Sequence, residues 1–237
     1  MSKSPSFPLQ IGAIVFPRMD QMDFTGPFEV LSRLPDSAFH VIGKQRDPIV
    51  DTNGLILTPG ITLTESPVLD LLIVPGGRGQ QELMEDEEVL SFLRTQATHA
   101  QYVLSVCTGA LLCGAAGLLK GVRATTHWGA FQLLEYFGAI PVDARVVIDG
   151  SLISTAGVSA GIDGALQVAA LLCGERVAEE IQLAMQYSPE PPFGSGSPAC
   201  ASPEVLASAR RGLQVITDAR LETAKRFAAR NQIVAED

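Results

Sequence analysis

The chain has 237 residues, with 17 Lys+Arg against 26 Asp+Glu and a formal net charge of −9. At 46% hydrophobic and 18% charged, it is too apolar for a disordered chain and long enough for a sizeable core. The acidic balance excludes a polyanion partner unless a local basic face exists, so no nucleic-acid partner is expected.

In chain order, 11–16 reads as a first strand and 26–34 as a helix with Pro27 in its first turn. Residues 39–43 read as the next strand. Asn53-Gly54 is a turn signal, and 55–57 is a short strand after it. Residues 70–74 form a continuous apolar strand ended by Pro75-Gly76-Gly77, and 86–98 an amphipathic helix. The uncharged run 95–119 approaches the length of a membrane span. It changes character midway, however. Residues 102–106 are strand-like, 110–119 are rich in Ala, Leu and Gly, and Cys107-Thr108-Gly109 lies between them. A buried strand turning into a buried helix is expected, and no membrane partner. A second helix follows over 129–137. Residues 145–148 and 152–154 pair as a hairpin across Asp149-Gly150. Residues 160–173 form a helix of small residues.

Beyond a flexible connector at 194–198, Ser202 as N-cap and Pro203 at N1 start a helix running to about Arg230. Its Leu206, Ala209, Leu213, Ile216 and Phe227 need cover, from their own domain or from a second subunit. Its alternating charges read as a solvated face. The chain therefore divides into a catalytic domain over 1–193 and a linker with a helical extension over 194–237. Near-continuous apolar strands alternating with helices predict an α/β fold, a mostly parallel sheet covered on both faces. Ligands bind such sheets beyond the carboxyl ends of the strands.

Four cysteines (Cys107, Cys113, Cys173, Cys200) form neither a disulfide framework nor a CxxC pair. His40, His99 and His127 lie far apart in sequence, so no metal spacing is visible. The first ten residues lack the apolar core and cleavage site of a signal peptide, and a cytoplasmic, thiol-reducing setting is expected.

Cys107 is the sharpest candidate for chemistry. It sits where a hydrophobic strand turns into a helix, the geometry that exposes a nucleophile at the sheet rim. The helix N-terminus is expected to favour thiolate and lower its pKa. A buried structural cysteine is the alternative. Cys113 and Cys173 read as core, and Cys200 as incidental. Asp23, between Met22 and Phe24, is either a loop or capping carboxylate or an acid/base group beside the sulfur. Thr25 is better placed to cap. In the second role, an apolar setting and a nearby thiolate raise the Asp23 pKa. The amides of Gly76-Gly77 either stabilise developing negative charge or only make a tight turn. His127 is either the base of a Cys–His pair or a satisfied, partly buried histidine.

These residues resemble the DJ-1/PfpI superfamily. The marks are Val74-Pro75-Gly76-Gly77, the elbow Ser105-Val106-Cys107-Thr108-Gly109-Ala110, and Ala124-Thr125-Thr126-His127-Trp128, within a match over about 11–187. Within that superfamily, four segments are similar to the isocyanide hydratase branch: 22–27, 105–109, 160–163 and 187–193. The resemblance implies a flavodoxin-like three-layer sandwich with a C-terminal helical extension, forming a homodimer. It implies Cys107 as nucleophile, Asp23 as its carboxylate partner, and Gly77 and Thr108 amides at the reacting group. Val158 stands where a branched residue lines the hydratase pocket, and His127 is an adjacent candidate. No metal or organic cofactor is implied. Thr108 stands where protease-like members carry His, which weighs against a peptidase. The hydratases have a glycine-rich run at 154–157, and bulk at Thr155 and Ala156 is expected to alter the pocket.

The implied reaction converts an isocyanide and water to an N-substituted formamide through a covalent thioimidate. Two rivals need no turnover. One is a stand-alone ligand sensor, similar to domains in front of AraC-type DNA-binding units, although little chain follows the core for two helix-turn-helix units. The other is a redox-sensing stress protein with an oxidation-prone Cys107.

Overall fold

The apolar runs find their partners in one seven-stranded sheet. The computed structural model describes residues 8–234. In chain order the elements begin with β1 (Leu9–Ile14), α1 (Gln21–Leu31), β2 (Ser37–Gly43), β3 (Ile49–Val50), β4 (Ile56–Leu57) and β5 (Ile61–Thr62). Then come β6 (Leu71–Val74), α2 (Gln80–Leu83), α3 (Glu87–His99), β7 (Tyr102–Val106) and α4 (Gly109–Ala115). Next are β8 (Arg123–Ala124), a 3-10 segment (Trp128–Phe137), β9 (Ile140–Pro141), β10 (Val146–Asp149) and β11 (Leu152–Thr155). Helices α5 (Ala160–Cys173), α6 (Glu175–Ala184) and α7 (Pro203–Asn231) complete the chain. The signal-peptide expectation falls mostly on residues 1–7, outside the described residues. No described helix is long and apolar enough to cross a membrane.

The main sheet runs β10-β11-β7-β6-β1-β2-β5, with β10–β11 antiparallel and the other pairs parallel. Every residue of β6 is buried, as a strand covered on both faces requires. Helices cover both sides, giving the flavodoxin-like sandwich. The chain first builds outward from β1 to β2, then returns to add β6, β7 and β11 on the other flank of β1. The strand order therefore reverses beside β1, and the carboxyl ends of β1, β6 and β7 open onto this switch point.

Several expected boundaries move, for local reasons. Helix α1 starts at Gln21 rather than Gly26, because Asp20 is its N-cap and accepts the Met22 N–H at 3.0 Å. Thr25 is no cap: its hydroxyl donates to Gln21 Oε1 at 2.8 Å. Asp23 thus lies in a helix's first turn rather than a loop, and Pro27 lies inside the helix. Helix α4 ends at Ala115, with Gly117 turning the chain at φ +82°. Residues 128–137 wind as 3-10 helix rather than α-helix. Helix α6 was not anticipated; only Ala178 and Ile181 of its face are buried.

The C-terminal helix starts as expected, with the Ser202 hydroxyl accepting the Val205 N–H at 3.3 Å. It folds back onto its own chain. Phe227 meets Phe137 of the 3-10 segment with ring centroids 5.0 Å apart. The Arg226 guanidinium donates twice to Glu85, at 3.0 Å each. The residues of α7 that become fully buried are Arg220, Thr223, Ala224 and Ala228. Leu206, Leu213, Ile216 and Phe227 are only half-buried, and Ala209 is exposed. Arg220 therefore contradicts the reading of this helix's charges as a solvated face, since a small-residue seam carries it inward.

Candidate active site

Three loops converge at the rim of β1, β6 and β7. The first carries Asp23 in the opening turn of α1. Its carboxyl is fully buried, and Oδ2 accepts the Gly76 N–H at 2.9 Å. The second is the turn after β6. Gly77 holds φ +118°, and a Cβ there would lie 2.2 Å from the Asp20 nitrogen. A Cβ on Gly76 would lie 2.6 Å from the Thr108 nitrogen. Two side-chain-free residues are thus what allow β6 to end directly against both of the other loops.

The third loop is the elbow. Cys107 adopts φ +55°, a conformation that L residues with side chains rarely hold. Its N–H donates to Ala156 O at 3.0 Å, and its carbonyl accepts from Thr126 Oγ1 at 2.7 Å. These bonds fix the backbone so that the sulfur points back at the rim. The Thr108 and Val158 backbone N–H groups lie close enough to the sulfur to favour its charged form. The thiol is 5% exposed and interacts directly with the Asp23 carboxyl. Asp23 Oδ1 nevertheless has no hydrogen bond of normal geometry, so an acceptor position stays open beside the sulfur.

The electrostatics partly reverse the sequence expectation. Burial pushes the Asp23 carboxyl well above the usual carboxylate range, and neighbouring Asp20 adds to the rise. Burial also pushes the Cys107 thiol up, with the negative field of Asp23 second. The expected lowering by the helix N-terminus is overridden. The amides of Val158 and Thr108 and the charge of Arg220 pull the other way, but less strongly. Two acids therefore sit together in a dry site that disfavours ionising both, and they titrate as a pair.

Arg220 is the residue that sequence reasoning missed. It is 5% exposed, and its Nη2 donates to Gly77 O at 2.7 Å and to Thr108 Oγ1 at 3.2 Å. Its Nε donates to Gln80 Oε1 at 3.2 Å. The Gly77 N–H, a candidate oxyanion donor, is engaged by Thr108 Oγ1 at 3.2 Å. The amides that favour a charged sulfur are those of Val158 and Thr108.

His127 lies on the wall of a cleft of about 1030 Å³ that also reaches Thr126, Ala156, Gly157 and Val158. Its Nδ1 accepts the Gly129 N–H at 3.1 Å, which places the ring proton of the neutral form on Nε2. Burial, helped by the charge of Arg220, lowers its pKa to about 4. The ring is therefore neutral at neutral pH, and among the described residues no hydrogen bond joins it to Cys107. Thr155 is fully buried and its Cγ2 faces Gly164 on α5, so its bulk fills the core rather than the cleft. Ala156 does line the cleft.

The chain matches the DJ-1/PfpI family over residues 10–171. It is 49% identical over 222 residues to the isonitrile hydratase of Pseudomonas putida, covering 94% of this chain and 97% of that one. A ThiJ/PfpI family protein from Pseudomonas syringae superposes with a TM-score of 0.89 at 38% identity, covering 91% of this chain and 90% of that one. Drosophila melanogaster DJ-1beta shares the fold, with a TM-score of 0.67 at 21% identity over 76% of this chain and 99% of that one. The described site falls within the matched span except for Arg220, and the chain belongs to the DJ-1/PfpI family.

Proposed function

We propose that the protein hydrates an isocyanide, R–N≡C, to the N-substituted formamide, with Cys107 as nucleophile and Asp23 as proton carrier. The observation that carries this reading is the meeting of the two side chains, buried together and electrostatically coupled. The likeness to the Pseudomonas putida isonitrile hydratase across nearly both whole chains supports the substrate class.

The pair shares a proton, and transfer to Asp23 leaves a thiolate. The sulfur attacks the electrophilic terminal carbon, and the Asp23 proton passes to that carbon. The product of this step is the thioimidate R–N=CH–S–Cys107, with Asp23 ionised. A water then enters from the cleft. Asp23 takes one proton of the water while the water oxygen bonds to the same carbon, and hands that proton on to the nitrogen, giving the tetrahedral adduct R–NH–CH(OH)–S–Cys107. Collapse expels the thiolate, the adduct hydroxyl returns its proton to the Cys107–Asp23 pair, and R–NH–CHO leaves. One nucleophile and one reversible acid/base group suffice. The Thr108 and Val158 amides stabilise the sulfur as attacking and leaving group. The Nε2–H of His127 orients the substituent or product oxygen in the cleft.

The dry surroundings of Cys107 weigh against the sensor reading, since oxidation-prone thiols are exposed and acidic. The same proposal carries a homodimer in the cytoplasm with no cofactor and no nucleic-acid partner. Incubating the folded protein with a simple aryl or alkyl isocyanide tests the activity. Enzyme-dependent formamide upholds it, and formamide at the buffer rate overturns it.

A further inference from the structure

We propose that Arg220, delivered by α7, is the counter-ion that holds the buried Cys107–Asp23 pair at a single shared proton. The inference rests on the reading of Cys107 as nucleophile and deepens it. It makes the C-terminal helix, outside the family-matched residues, a working part of the site.

The geometry carries it. The Gly76–Gly77 turn holds the carboxyl, through the Gly76 N–H on Asp23 at 2.9 Å. The Cys107–Thr108 elbow carries the sulfur, with the Thr108 amide favouring its charged form. One guanidinium nitrogen of Arg220 bonds to both loops, to Gly77 O at 2.7 Å and Thr108 Oγ1 at 3.2 Å. Fully buried Gln80 fixes the other edge of the fork. A cation this deep is costly unless negative charge lies nearby, and its hydrogen-bond acceptors here are neutral.

Charge counting identifies the negative partner. The groups facing the pair are Asp20 beside Asp23 on α1, Arg220 from α7, and the exposed Arg78 next to Arg220. His127 also faces Arg220 and is neutral. Arg220 keeps its proton at neutral pH, even though burial lowers its pKa to about 10. With that cation present, the dry site is neutral when two acids retain one proton between them. One thiolate or one carboxylate is then always available, which is the state that the first step of hydration needs. Without the cation, the neutral site is thiol plus carboxylic acid, and no nucleophile exists. Arg220 is thus a positioning and charge-balancing residue that does not itself touch the substrate.

The test reads Cys107 without any isocyanide, so it fails or succeeds separately from the hydratase reading. Iodoacetamide alkylation of the Cys107 peptide is followed by mass spectrometry across pH in wild type, Arg220→Gln and Arg220→Lys. Gln keeps hydrogen-bond donors and loses the charge, whereas Lys keeps the charge and loses the fork. The Gln variant is expected to shift the alkylation midpoint about one to three pH units upward, while Lys stays near wild type. In turnover, Gln lowers kcat more than tenfold with KM little changed. A folded Gln variant with the wild-type midpoint overturns the proposal, as does a Lys variant shifted as far as Gln. If Gln fails to fold, Lys decides alone: a wild-type midpoint upholds the counter-ion, and an upward shift of a unit or more overturns it.

Discussion

Cys107 and Cys113 lie six residues apart, and both are buried. Burial raises both thiols, Cys113 to about 12. Their surroundings differ in kind. Cys113 sits in α4 among apolar neighbours, and no charged group contributes to its shift. Cys107 holds a strained positive φ, lies close to two backbone N–H groups, faces a buried carboxyl and feels a buried guanidinium. A dry environment alone therefore makes an inert thiol. What sets Cys107 apart is a set of partners that exchange or offset charge inside that environment.

The largest effect that can break this comparison comes from Cys107→Ala. It is expected to bring formamide formation to the buffer rate while the fold persists. Full activity in that variant would remove the distinction between the two sulfurs.

Asp23→Asn comes next, with kcat reduced by about 10²–10⁴-fold through loss of proton transfer. The same change should stabilise the protein at neutral pH. Burial raises the Asp23 pKa, so between the ordinary carboxylate range and that raised value the native pair holds two protons while the unfolded chain has released the one on Asp23. Stability then falls as pH rises from the ordinary carboxylate range towards the raised native value. Asn has no such slope. Thermal unfolding from pH 4 to 8 should show the Asn variant gaining on wild type as pH increases, at about 2–4 °C in Tm per kcal/mol. A constant gap between the two curves would contradict the raised pKa.

Thr126→Val sharpens the comparison at the backbone. It removes the shorter of two hydrogen bonds to the Cys107 carbonyl and leaves only the Ala110 N–H at 3.4 Å, at about 0.5–1.5 kcal/mol. A lowered kcat alongside a lower denaturation midpoint is expected, and unchanged values of both would mean that the elbow is held by other contacts. The smallest effect on activity belongs to Cys113→Ala. It should leave turnover at the wild-type level and cost about 0.5–3 kcal/mol in chemical denaturation. A tenfold loss of kcat there would make the two sites functionally alike.

The legible parts of this site are those written within one short segment. The run from Tyr102 to Gly109 passes from strand to turn to helix, so Cys107 at a rim elbow follows from local pattern. Asp23 stood out as a carboxylate between Met22 and Phe24, although its place inside α1 did not. Asp20 caps the helix, whereas the position of Pro27 made Thr25 the better-placed cap on sequence. The direction of the Cys107 pKa was illegible. The helix N-terminus is a local signal, whereas the burial that overrides it and the field of Asp23 that adds to it arise from packing between segments distant in sequence. Arg220 was hidden for the same reason. Helix α7 carries Arg210, Arg211, Arg220, Arg226 and Arg230, and its packing on the 3-10 segment and on α2 decides which one is taken inside.

The most direct test of the covalent account is an acid-quenched single turnover with an aryl isocyanide, followed by peptide mapping. The account predicts a transient adduct on the Cys107 peptide, heavier by the mass of one isocyanide, that decays as formamide appears. Formamide release at the same rate with Cys107 unmodified throughout, or with Cys107 replaced by alanine, would contradict it.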